Sequence, residues 1–112
     1  MIIKVLYAQH SELFPNSMSD LFLGRPSNVP YREVANIAPD EIEVENETDN
    51  HQILGRVWRA MNCVEGDPEV EICVRLRVRS MMVGDRVVLE REGLTMTYQC
   101  AGVGWKILEA AS

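Results

Sequence analysis

Histidine is almost missing from this chain: among 112 residues only His10 and His51 occur. That scarcity removes the commonest general acid or base from most of the sequence. No Gly-x-Ser-x-Gly elbow, phosphate-binding Walker loop or His-Glu-x-x-His helix is present either, so the motifs that announce acyl transfer, nucleotide hydrolysis or zinc proteolysis do not apply. Nor is there a run of about 18 apolar residues, the length a membrane-crossing helix needs. The first residues, Met-Ile-Ile-Lys-Val-Leu-Tyr, carry no basic leader before an apolar stretch and read as a first strand. Cysteine is scarce and odd in number. Cys63, Cys73 and Cys100 are widely spaced, without the close pairs of structural zinc sites or the even count of a secreted disulfide framework. They are expected as buried thiols in a reducing cytoplasm, and no metal or cofactor is expected.

What is present is an ordinary globular composition with an uneven charge. The hydrophobic share is 46% and the charged share 25%, and the length fits one domain over residues 1–112. Net charge is −6. Six carboxylates fall in residues 40–49, namely Asp40, Glu41, Glu43, Glu45, Glu47 and Asp49, with no base among them. From residue 75 to 91 five arginines face only Asp85 and Glu90. Such asymmetry acts on association more than on fold.

The clearest periodic signal is residues 70–79. Val70, Ile72, Val74, Leu76 and Val78 alternate with Glu71, Cys73, Arg75, Arg77 and Arg79. Alternate side chains take opposite faces of a strand, so this segment predicts a strand with an apolar face and a face of three guanidiniums. Residues 2–8, 86–90, 96–100 and 105–108 read as further strands, with 41–45 as an exposed one and 31–37 as a strand or short helix. Arg91-Glu92-Gly93 is a reversal. Thr48, Asp49 or Asn50 can cap a helix, along which Ile53, Leu54, Val57, Trp58 and Met61 recur at helical spacing. From residue 11 to 39 five prolines and glycines interrupt any pattern, with one helical turn expected at 18–23. The expected fold is α+β: a mainly antiparallel sheet, meandering in its C-terminal half, packed by one amphipathic helix, with an irregular N-terminal third. Trp58 and Trp105 are expected in the core.

Three stretches, Arg56-Val-Trp-Arg-Ala-Met-Asn, Arg79-Ser-Met-Met-Val-Gly-Asp-Arg-Val-Val and Tyr98-Gln-Cys with Gly102-Val-Gly-Trp-Lys-Ile-Leu, carry a resemblance. They are similar to the YodL-like domain of small phage, plasmid and integrated-element proteins. There an Arg-Ser-x-Ser-Val-Gly-Asp segment precedes a short strand pair and a closing Gly-Trp or Gly-Phe. The resemblance covers residues 53–108, and Met82 stands where a serine is more typical. It implies a mobile-element setting and brings no catalytic residue.

The functional expectation is therefore a small non-enzymatic interaction protein that docks a host or element-encoded protein. Glu41, Glu43, Glu45 and Glu47, with Arg75, Arg77 and Arg79, are the candidate partner-binding residues, setting orientation and on-rate. Phe14, Leu21, Phe22 and Leu23 are candidate apolar anchors. A nucleic-acid-binding module is the alternative, using the arginine face with Arg86 and Tyr98 beside it, though an acidic chain disfavours it. A homodimer through an edge strand is a further option, and no membrane partner is expected.

Overall fold

The computed structural model describes residues 1–9, 30–62 and 79–111. Strand β1 (Ile2–Ala8) is followed by β2 (Tyr31–Ile37), a 3-10 turn (Pro39–Ile42), helix α1 (Asn50–Met61), β3 (Arg86–Arg91), β4 (Leu94–Cys100) and β5 (Trp105–Ala111). The five strands form one antiparallel sheet in the order β2-β1-β3-β4-β5. The α+β expectation holds, with the C-terminal meander as β3-β4-β5. The strand of residues 70–78, the helical turn at 18–23 and the anchors Phe14, Leu21, Phe22 and Leu23 lie outside the described residues.

Alternation places the core. Ile3, Val5 and Tyr7 on β1 are buried, and they meet Ile37 and Ala35 on one side and Leu89 and Val87 on the other. Residues opposite each other on antiparallel strands share a face, so one apolar face runs across the sheet. Ile53, Leu54, Val57, Ala60 and Met61 of α1 complete the same cluster. The helix starts where Asp49 accepts the His51 N–H at 2.9 Å, which satisfies a backbone donor of the first turn.

Two strands are irregular. On β2 Val34 is skipped, since Val5 pairs with Ala35 and Leu6 with Glu33. On β5 Leu108 is skipped in the same way, since Tyr98 pairs with Ile107 and Thr97 with Glu109. Each is a bulge, which adds a residue to one strand and bends it. The β3-β4 hairpin closes on Glu92 and Gly93, with φ of 52° and 75°. Positive φ at both central residues is the two-residue turn whose twist matches paired strands.

Residues 41–45 are a correction. They form no strand: Pro39 opens a 3-10 turn, and Glu41 folds back to accept the Ala38 N–H at 2.9 Å. Ile42 and Val44 are both buried, which produced the alternation. They plug the core beside α1 instead of lying along a sheet.

Candidate functional site

The acidic stretch is spent locally. Beyond the cap made by Glu41, Glu43 pairs with Arg56 at 3.1 Å, while Arg56 Nε also donates to the Ile42 carbonyl. Glu47 accepts the Asp49 N–H at 3.0 Å. Glu45 is exposed.

Of the three arginines, Arg75 and Arg77 lie outside the described residues. Arg79 is committed to Asp85. Its Nη1 and Nη2 donate to the two Asp85 oxygens at 2.7 and 2.8 Å, a bidentate pair of the strong kind. Nη2 also donates to the Ala8 carbonyl at 3.1 Å, and the guanidinium lies 4.2 Å above the Tyr7 ring. Asp85 is fully buried and also accepts the Ala8 N–H and the Met82 N–H. The Asp85 hydrogen bonds, first of all, raise the Arg79 pKa. Burial raises that of the Tyr7 phenol, with the Asp85 carboxylate adding to it and Arg79 opposing. The Arg-Ser-x-x-Val-Gly-Asp segment thus acts as a clasp: it ties the entry to β3 onto the end of β1.

A second polar group lies on the sheet face away from α1. The Arg86 guanidinium stacks 4.1 Å from the Tyr31 ring centroid, and its Nε donates to Gln99 Oε1 at 3.0 Å. Tyr31 donates to the Gly84 carbonyl at 2.7 Å. Tyr98, expected beside Arg86, sits on the opposite face: Arg86 pairs with Gln99 and Tyr98 with Val87. Its ring is buried in the core, and its hydroxyl accepts from Asn50 Nδ2 at 3.0 Å. Tyr98 therefore offers no stacking platform to a nucleic acid.

Trp58 gives the second correction: it is 38% exposed, whereas Trp105, half-buried, packs against the core cluster as expected. The buried side of α1 is set by Ile53, Leu54, Val57, Ala60 and Met61, and Trp58 lies at the margin of that arc, turned toward β5. Trp105 and Ile107 share the core-side face, because they pair with Cys100 and Tyr98. Ile107 is nevertheless 57% exposed. Between the two indoles runs an open groove of about 320 Å³, walled by Gly55, Trp58, Cys100, Gly102, Gly104 and Trp105. Val103, at the adjoining β4-β5 turn, is 89% exposed. Cys100 lines the groove as a thiol, its pKa pushed from 9.0 to about 11 by burial and then by Asp85. Apolar side chains collected at one edge mark an interaction surface more often than scattered ones do. Sequence reasoning missed this site, because helical spacing alone cannot say how wide the sheet beneath a helix is.

Comparison of the chain with protein-family models, curated proteins and solved structures finds no match in any of the three. No described helix is long and apolar enough to cross a membrane.

Proposed function

We propose that this chain is a small non-enzymatic interaction protein of a phage or other mobile element, acting in the cytoplasm by docking another protein along the β5 edge. One observation carries the reading: apolar side chains stay in water at that edge while Arg79, Asp85 and Arg86 bond within the chain. Trp58, Val103 and Ile107 are exposed around a groove that no strand or helix of the described residues fills. Asp85, Arg79, Arg86 and Glu43 are held in contacts that organise the fold. Aromatic anchors beside a groove are the residues on which binding energy concentrates. The mobile-element setting comes from the YodL-like resemblance of residues 53–108.

The test is capture from host lysate by tagged protein. The wild type is expected to retain a partner that a Trp58→Ser/Ile107→Asp variant of unchanged circular dichroism releases. Retention by both would end this reading. Short DNA and RNA are expected to show no binding at low salt. An affinity that falls steeply with added salt would favour a nucleic-acid module instead.

A further inference from the structure

We propose that Arg86 and Lys106 form a binding site for one carboxylate, supplied by an aspartate or glutamate side chain of a protein partner. That the carboxylate arrives on a protein rests on the docking reading above; the site itself does not.

The chain builds the same support for an arginine twice. Arg79 lies 4.2 Å from the Tyr7 ring centroid, and Arg86 lies 4.1 Å from that of Tyr31. At Arg79 the arrangement is complete, because both terminal nitrogens donate to the Asp85 carboxylate. At Arg86 the anion is missing. Its Nε donates to Gln99 Oε1 at 3.0 Å, while Nη1 and Nη2 meet no acceptor and no carboxylate among the described residues. Asp85 does not serve both arginines, since its oxygens take Arg79 and the Ala8 and Met82 amides.

The unused end of Arg86 is held in place. Gln99 is fully buried, and Tyr31 is itself tied to the Gly84 carbonyl at 2.7 Å. A guanidinium stacked on a ring and anchored through Nε has little freedom left to lose when a ligand arrives. Its two terminal nitrogens are the parallel donors that a carboxylate accepts as a pair. Arg86 is also half-buried, and charges interact more strongly where water is partly excluded.

Lys106 supplies the second cation. It pairs with Gln99 in the β4-β5 register, as Arg86 does in the β3-β4 register. The three residues therefore share the sheet face away from α1, with a cation on either side of the amide. Neighbouring strands lie about 5 Å apart, so the two cationic residues stand about 10 Å apart at the backbone, a gap two long side chains can close around one anion. Lys106 is exposed and forms no ion pair among the described residues.

Charge selects among anions. At net −6 the chain repels an extended polyanion, whereas a single carboxylate at physiological salt senses charges within about 8 Å. A carboxylate also repeats what Asp85 does at Arg79.

An NMR titration at fixed physiological ionic strength tests the site, with a capped Glu-Glu dipeptide as probe and capped Gln-Gln as its neutral control. The Arg86 Nε–H and the Gln99 side-chain amide are expected to shift saturably with the acidic dipeptide and to ignore the neutral one. Lys106→Gln is expected to weaken binding about fivefold, and Arg86→Gln to abolish it. Arg32→Gln, which removes an exposed cation from β2, is expected to leave binding unchanged. No saturable shift up to about 100 mM dipeptide, or an equal loss in all three variants, overturns the proposal. Inorganic phosphate or a short oligonucleotide binding about tenfold more tightly than the dipeptide overturns it too, by assigning the site to phosphate. Capture of a lysate protein that needs Trp58 but ignores Arg86→Gln keeps the docking reading and overturns this one. A saturable dipeptide site in a chain that captures no partner keeps the site and ends the docking reading.

Discussion

Asp85 accepts from the Ala8 and Met82 backbone amides and from both Arg79 terminal nitrogens, with no exposed surface of its own. A buried carboxylate is expensive to desolvate, and such a pair is stable only when its remaining hydrogen-bonding capacity is satisfied, as it is here. Removing one partner leaves the other unmatched. Asp85→Ala is expected to cost about 3–5 kcal/mol in urea unfolding. Arg79→Met alone should cost less, because Asp85 retains two backbone donors. The double variant should be less than additive, since the residues share one network. Additive losses would show that the clasp does not act as a unit. Cys100 gives a residue-scale prediction in pH. Its pKa is raised on folding, so the folded protein holds a proton that the unfolded chain releases, and stability falls as pH rises from about 9 to 11. The raised tyrosine pKa values of Tyr7 and Tyr31 act in the same direction. Alkaline urea titrations should therefore slope downward, less steeply in Cys100→Ala. The thiol is expected to resist alkylating reagents at pH 8 until the protein unfolds.

At the scale of elements, the pattern of apolar residues was enough to find β1, β3, β4, β5 and α1. Each buries a face against the core, and periodicity reports such burial directly. The same signal misled at residues 41–45, where Ile42 and Val44 point inward from a 3-10 turn. Pro39 and the back-bonding Glu41 decide that geometry, and alternation cannot register them. Trp58 was misplaced for a related reason. Its spacing puts it near the helix stripe, but Ile53, Leu54, Val57, Ala60 and Met61 take the buried arc, and where that arc ends depends on how the helix is seated on the sheet. The clasp between Arg79 and Asp85 was invisible as well, because its third party, the end of β1, is more than 70 residues away. For the helix itself, Leu54→Ala is expected to destabilise by about 2–5 kcal/mol. Leu54 is fully buried and faces the sheet. Gln52→Ala, at an exposed position of the same helix, should change the unfolding free energy by less than about 0.5 kcal/mol.

For the whole molecule, a net charge of −6 on 112 residues opposes both compaction and self-association until it is screened. Salt shortens the reach of these charges to about 8 Å at physiological strength. Both the urea midpoint and any dimer of the chain are therefore expected to strengthen between low and physiological salt.

The pairing of β1 with β3 has a consequence for synthesis. Ile2 to Leu6 lie beside Arg86 to Glu90, so β1 waits for β3 until more than 80 further residues have been translated. Distant pairings of this sort form slowly, since a long loop must close first. Among the described residues β2 is the neighbour of β1 that is made before β3, so the apolar face of β1 is completed late.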